Sequence, residues 1–472
     1  MTSNSFIELS AEMLQLITPE QAWHYRIVPH SVQNEKLRFY TDSDNLHISN
    51  ELELLFGKTI ELEITDSATI QKTLGKYYRK QDSKTGTFNY NQESNEFLKQ
   101  LISEAKETGS SDIHIETYEE RCRIRIRIDG KLIERYVIDK KDYPAMINKL
   151  KIMSSLDIAE KRLPQDGRIF FQDGTNKFDI RVSVLPTLHG EKVVMRLLNN
   201  DATKIDIKQL GFEAEELKRY LEGVKKPNGI LLISGPTGSG KTTTLYATLK
   251  ILNEASRNVI TIEDPIEYTL EGINQVQLKE NIGLDFPSAL RTFLRQDPDV
   301  IMVGEIRDKA TAEMAVRASL TGHLVLSTIH TNSAWGTISR LSDMGIPSYM
   351  IANTLNTSVA QRLVRKLCNH CKKEMPIEKD NFPMGFKIPD SLKFQYSPVG
   401  CDSCYYTGYK GRLAIYEIIP VTFDLSEEIR KGTSDIRPVL KELGIKTLAD
   451  NAFDLFKQGV TSSEEIYPLL MT

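Results

Sequence analysis

The eight residues GPTGSGKT at 235–242 constrain this chain more than any other stretch. They complete a GxxxxGK[ST] pattern, directly after the apolar run Gly229–Ser234 and directly before a helical segment over 242–253. In that strand–loop–helix order, glycines let backbone N–H groups curl around phosphate oxygens, and the helix N-terminus favours an anion. The candidate nucleotide-binding residues are therefore Gly235, Pro236, Thr237, Gly238, Ser239, Gly240, Lys241, Thr242 and Thr243. Lys241 is expected to reach the β- and γ-phosphates, and the Thr242 hydroxyl to ligate Mg²⁺. ATP and Mg²⁺ are the expected ligands.

Short apolar runs at 229–234, 259–263, 299–304 and 323–329 alternate with helical segments. That pattern predicts an α/β core over 229–360, a mostly parallel sheet with crossover helices. Two of its strands run into acids. One places four apolar residues before Glu305, and the other ends in Glu263, Asp264 and Glu267. Phosphoryl transfer to water needs metal neutralisation of charge and a group that orients or deprotonates the attacking water. Acids at strand ends can also be plain solvated surface, but beside a complete phosphate loop the catalytic reading is favoured. His330, closing the run 324–329, is either a strand-end residue or a sensor of the γ-phosphate. Arg291, Arg295 and Arg307 read as surface ion-pairing residues.

The rest of the chain divides by composition. Residues 1–82 look like a small α/β module, with a polar, turn-rich linker over 81–92. Residues 93–200 look like an α+β domain, 201–228 a bridge, and 361–472 a C-terminal region of cysteine pairs and helices. With 472 residues, 40% of them apolar, about three globular domains are expected. Lys and Arg total 60 against 64 Asp and Glu, a net charge of −4 that argues against a protein coating nucleic acid. No apolar run approaches the ~18 residues of a membrane span, and no signal peptide is expected at the start. The expected location is the cytoplasm, with membrane contact only through partners. Four of five cysteines fall in two CxxC pairs, Cys368/Cys371 and Cys401/Cys404, 29 residues apart. Four thiolates suit a closed, structural tetrahedral zinc site; a labile dithiol pair and plain core cysteines stay as alternatives. Cys122 alternates with Ile124, Ile126 and Ile128 and reads as a buried strand face.

Taken together, the motifs resemble the secretion ATPases of type II secretion and type IV pilus assembly. The resemblance spans about 93–472 and runs through SDIHIE (111–116), LPQDGR (163–168), DIRVS (179–183) and GEKVVMR (190–196). It continues through the phosphate loop, EDPIE (263–267), the Glu305 strand (294–308), TGHLVLSTIH (321–330), GRLAIYE (411–417) and GVTSSEE (459–465). It implies a RecA-like P-loop NTPase core, a preceding PAS-like α+β domain and a homo-hexameric ring with active sites between those two domains. Glu267 would polarise the attacking water, Glu305 would be the Mg²⁺-linked acid, and Arg168 and Arg181 would swing onto the phosphates. The four cysteines favour assembly over retraction ATPases. Residues 1–82 would dock on inner-membrane platform proteins. Some relatives bind a cyclic dinucleotide there through Arg-Leu-Gly segments; none occurs in this chain, so no such binding is expected.

Two other readings compete. A RecA-like ring can also translocate nucleic acid or drive DNA uptake, and Arg121–Arg127 forms a basic stripe, but it lacks interleaved aromatics for base stacking. A scaffold that only binds ATP is disfavoured by the intact Lys241, Glu267 and Glu305.

Overall fold

The computed structural model describes residues 7, 9, 13, 16–33, 36–42, 46–78, 94–119, 121–173, 176–198 and 206–471. The expected linker at 81–92 lies outside the described residues. The chain divides into two compact units. One comprises Met1–Leu197, Leu367–Met375 and Tyr396–Lys410; the other comprises Leu198–Lys366, Pro376–Gln395 and Gly411–Thr472.

The first unit opens with a three-stranded sheet, β1 (Ile27–Gln33), β2 (Lys36–Thr41) and β3 (Thr59–Ile64), in that order. Ile27, Phe39 and Ile60 pack there with Ile70 and Leu74 of the helix Ser67–Tyr77. Trp23 sets its ring 5.3 Å from that of Tyr406, which belongs to the cysteine-bearing part of the same unit.

An antiparallel six-stranded sheet follows: β4 (Asp112–Thr117), β5 (Cys122–Ile128), β6 (Lys131–Ile138), β7 (Gln165–Asp173), β8 (Asn176–Thr187) and β9 (Gly190–Leu197). Its order is β6-β5-β4-β9-β8-β7. Period-two alternation sends Ile113, Ile115, Cys122, Ile124 and Ile126 into one core with the helices Ser94–Glu107 and Tyr143–Met153. The opposite face gathers charge. Glu116 is nearly buried beneath Arg123, Arg125 and Lys192 at 3.0, 2.9 and 3.0 Å, while Asp112 holds Arg127 at 3.4 Å and Arg196 at 3.0 Å. The basic stripe seen in the sequence is thus paired with acids of its own sheet.

In the second unit, β10 (Gly229–Ser234), β11 (Val259–Glu263), β12 (Asn274–Gln277), β13 (Val300–Val303), β14 (Leu324–Ile329) and β15 (Leu355–Leu367) join one sheet. The ribbon strands β16 (Lys373–Pro376) and β17 (Phe394–Ser397) precede β18 (Tyr409–Pro420), which completes that sheet in the order β12-β11-β13-β14-β10-β15-β18. The pairings of β10 through β14, and of β10 with β15, are parallel. Both faces are covered. Ile230 and Leu232 enter one core while Leu231 and Ile233 enter the other, so β10 reads as an unbroken apolar run. β15 runs through residue 360, and β18 lies beyond it, so the sheet extends into the C-terminal stretch expected to carry helices. The sequence LNTSVAQRLVRKL hides that strand because polar residues interrupt its apolar pattern.

The C-terminal motifs act as clamps within this unit. Glu417 on β18 accepts N–H groups from Ala334 at 2.7 Å and Leu448 at 3.2 Å, and burial pushes its carboxyl pKa up. Glu465 takes the Arg365 guanidinium at 2.8 and 3.0 Å together with its backbone N–H at 2.9 Å.

Candidate functional site

The phosphate loop joins β10, an interior strand of its sheet, to the helix Lys241–Leu252. Such a position, at the carboxyl end of a strand where neighbouring connections diverge, is where open α/β sheets bind ligands. Two glycines are dictated by geometry. Gly235, at φ +151°, passes so close to strand β15 that a Cβ would stand 2.5 Å from the Gln361 carbonyl oxygen. Gly240, at φ +86°, makes the left-handed entry into the helix. Gln361 then buttresses the loop. Its side chain donates to the Ser239 carbonyl at 2.9 Å and accepts from the Thr244 hydroxyl at 2.9 Å.

The loop's donors are arranged for an anion. Lys241 donates to the loop carbonyls of Gly235 at 2.8 Å and Pro236 at 3.1 Å. Burial pulls its pKa down, and the Glu305 charge opposes that pull. Thr242 stands exposed in the first helical turn, while the Ser239 hydroxyl is buried without a protein partner. A lysine held by weak carbonyl acceptors, a free buried hydroxyl and a glycine cradle fit a triphosphate with its magnesium.

Glu305, just beyond β13, is mostly buried and paired with Arg307; His330 Nε2 lies 3.3 Å from its carboxylate. The strand pairing of β13 with β14 brings Glu305 and His330 together. Arg307, expected to pair at the surface, is largely exposed and pairs with this acid, which raises its pKa further. The three acids at and just after the end of β11 separate in environment. Glu263 is buried and accepts hydroxyls from Tyr246 and Thr261, Asp264 is exposed, and Glu267 is half-buried.

Arg168 and Arg181 lie in the first unit, directly opposite one another on β7 and β8. Arg168 is largely exposed and ion-paired with Asp179 at 2.6 Å. Arg291 and Arg295 lie in and just after the helix Phe286–Phe293. Gln361, Glu417 and Tyr246 were not singled out from sequence. Their importance comes from contacts between segments far apart in the chain.

The four cysteine sulfurs converge, all within 4.8 Å of one another. The Cys368–Cys401, Cys371–Cys404 and Cys401–Cys404 separations are each 3.8 Å. Four sulfurs about 2.3 Å from one tetrahedral ion would stand about 3.8 Å apart. Backbone N–H groups of Gly400, Cys401 and Gly408 point at these sulfurs at 3.2–3.3 Å, as thiolates require. The cluster can hold a metal ion.

A phosphate loop on an interior strand of a parallel array, with an acid following the strand two positions away, defines a P-loop ATPase. The comparisons then narrow the class. The family model described as type II/IV secretion system protein matches residues 90–468, and a MshEN domain matches 3–84. The type IV pilus assembly ATPase PilB of Myxococcus xanthus is 40% identical over 97% of this chain and 87% of its own. The type II secretion system ATPase E of Vibrio cholerae is 46% identical over 78% of this chain and 73% of its own. Among solved structures, the pilus retraction motor PilT with bound ADP aligns at 27% identity and TM-score 0.53, covering 79% of this chain and 96% of that one. The Legionella pneumophila ATPase DotB shares the fold at TM-score 0.58 and 22% identity, covering 79% of this chain and 95% of that one. The chain belongs to the type II/IV secretion ATPase family.

Proposed function

We propose that this ATPase hydrolyses ATP as a homo-hexameric ring at the cytoplasmic side of an inner membrane, powering pilin-like subunit assembly in a type II secretion or type IV pilus machine. The observation that carries it is the pairing of Glu305 with His330 near enough to Lys241 for the Glu305 charge to act on it, in a chain 40% identical to a pilus assembly ATPase over 97% of its length. Residues 235–243 hold the nucleotide. Thr242 and Glu305 hold the magnesium, which supplies charge neutralisation for the phosphates. Glu267 orients the attacking water, His330 reports on the γ-phosphate through Glu305, and Arg168 and Arg181 reach the phosphates as domains close. Arginine suits that task because its planar fork binds phosphate bidentately and stays charged.

The division into 1–82, 93–200, 229–360 and 361–472 serves as docking module, PAS-like domain, RecA-like core and C-terminal region. Cys368, Cys371, Cys401 and Cys404 hold a structural zinc. Among the described residues no helix is long and apolar enough to cross a membrane, consistent with attachment through a platform protein. The pairing of Arg123, Arg125 and Arg127 with Glu116 and Asp112 leaves little free positive charge there for nucleic acid.

Two measurements test this reading. Glu305→Gln is expected to retain ATP binding and lose turnover; unchanged turnover would reject the site. Crosslinked capture with the full chain, but not a chain lacking 1–82, is expected to recover a polytopic platform protein. Recovery of DNA-processing proteins with DNA-stimulated hydrolysis would favour the nucleic-acid motor.

A further inference from the structure

Tyr246 lies five residues beyond Lys241 on the phosphate-loop helix, fully buried, and its hydroxyl sits at a junction of two segments. It donates its single proton to the Glu263 carboxylate. A carboxylate offers only acceptor sites, so the phenol proton is committed and an oxygen lone pair remains for another donor. That donor is the backbone N–H of Glu267, 3.3 Å away. Burial, with the Glu263 charge beside it, raises the pKa of the phenol well above its ordinary value, so it keeps the proton it donates.

Glu263 is itself fixed. Its other oxygen accepts from the Thr261 hydroxyl at 2.6 Å and the Gln275 side chain at 3.1 Å. Gln275 in turn bonds the Tyr268 carbonyl at 3.2 Å and the Leu270 N–H at 2.8 Å. Gln277 accepts the Ile266 N–H at 3.0 Å, and the Tyr268 ring meets the Tyr246 ring edge-on with centroids 4.2 Å apart. Side chains therefore pin four backbone atoms of the segment 266–270. Three of these pins come from its neighbouring strand β12. The fourth, from Tyr246, comes from the helix that begins at the phosphate loop.

We propose that Tyr246 is a positioning residue that registers Glu267 to the phosphate loop, so that the attacking-water side of the site moves with the element that grips the nucleotide. The proposal rests on Glu267 orienting the attacking water. Nothing in the nucleotide grip depends on the phenol, so its loss falls on the chemical step. A reacting geometry disturbed by about 1 Å can cost up to about a hundredfold in rate.

The test uses the full chain and compares Tyr246→Phe, Glu267→Gln and the double variant for kcat, KM for ATP and affinity for a non-hydrolysable ATP analogue. Tyr246→Phe keeps the ring packing and removes only the hydroxyl. It is expected to lower kcat by about tenfold, with KM and analogue affinity within about twofold. The double variant is expected to be no slower than Glu267→Gln, because the phenol acts through that residue. Glu263→Gln keeps an acceptor oxygen for the phenol and is expected to lose less than Tyr246→Phe. Parental turnover in Tyr246→Phe beside an inactive Glu267→Gln overturns the proposal and leaves the role of Glu267 standing. Multiplicative losses in the double variant also overturn it. Parental turnover in Glu267→Gln instead rejects the reading on which the proposal rests.

Discussion

The phosphate loop and the four-cysteine cluster can each take a ligand, and they hold their groups in different ways. In the loop, Lys241 bonds the carbonyls of Gly235 and Pro236, while Glu305 bonds Arg307 and faces His330. Lys241 and Glu305 thus each have an interim partner within the protein. In the cluster, four sulfurs lie within 4.8 Å of one another, and backbone N–H groups of Gly400, Cys401 and Gly408 point at two of them. A site that must bind and release on every cycle needs alternative partners, so that the empty state is not prohibitively costly. A site that keeps its ligand for the life of the fold needs none.

That contrast can be broken most directly at the cysteines. Cys404→Ser removes one of four thiolates and leaves the amides of Cys401 and Gly408 without their sulfur acceptor. Zinc content measured by mass spectrometry is expected to fall from one per chain towards zero, and unfolding stability to drop by several kcal/mol. The same variant is expected to bind an ATP analogue within a few-fold of the parent, because the phosphate loop belongs to the other compact unit. Loss of nucleotide affinity in step with loss of metal would show that the two sites are not independent.

Much of both sites was legible before the structure because each is written in short contiguous motifs. The glycines, Lys241 and Thr242 lie within eight residues, and each cysteine pair within four. The apolar runs of β10, β11, β13 and β14 announced a parallel sheet for the same reason: burial on both faces makes the signal local. What escaped notice depends on tertiary neighbours. β15 carries Gln361 to the loop from 117 residues beyond Thr244, and β18 carries Glu417 to Ala334 and Leu448. No period or spacing marks a glutamine as a buttress. Spacing alone likewise does not separate Glu263 from Glu267; the resemblance singles out Glu267, and the burial of Glu263 follows from the contacts of Tyr246 and Gln275 with it.

Gln361 sharpens the comparison from the side of the cycling site. Its amide is the single side chain that joins β15 to both the Ser239 carbonyl and the Thr244 hydroxyl. Gln361→Ala removes the donor to the buried Ser239 carbonyl and leaves the Thr244 hydroxyl its longer bond to the Gly240 carbonyl at 3.4 Å, at a cost of about 1–3 kcal/mol. The loop then has less support in its empty state, and KM for ATP is expected to rise several-fold while zinc content stays at one per chain. Titration of nucleotide and metal on the same preparation checks both arms. An unchanged KM would mean that the glycine cradle holds its shape without the buttress.

Glu116 offers a third arrangement and the smallest expected effect: a permanently satisfied charge whose partners are the protein's own. Burial alone would raise its carboxyl pKa, but hydrogen bonds from Arg125, Lys192 and Arg123 bring it down to about 2 from an ordinary 4.5. The folded state therefore binds this proton less readily than the unfolded chain. The stabilisation is complete above pH 4.5 and is lost as pH falls through that value towards 2. In Glu116→Gln the three cations lose their counter-charge, so thermal stability at pH 6 is expected to drop modestly. The difference between variant and parent is expected to narrow steadily from pH 5 to pH 3. Melting curves across that range check it, and they separate this site from the cysteines, where acid protonates the ligands and releases the metal with a much larger loss. A parent and variant that stay a constant distance apart over the whole range would place the stabilising role of Glu116 in packing and not in its charge.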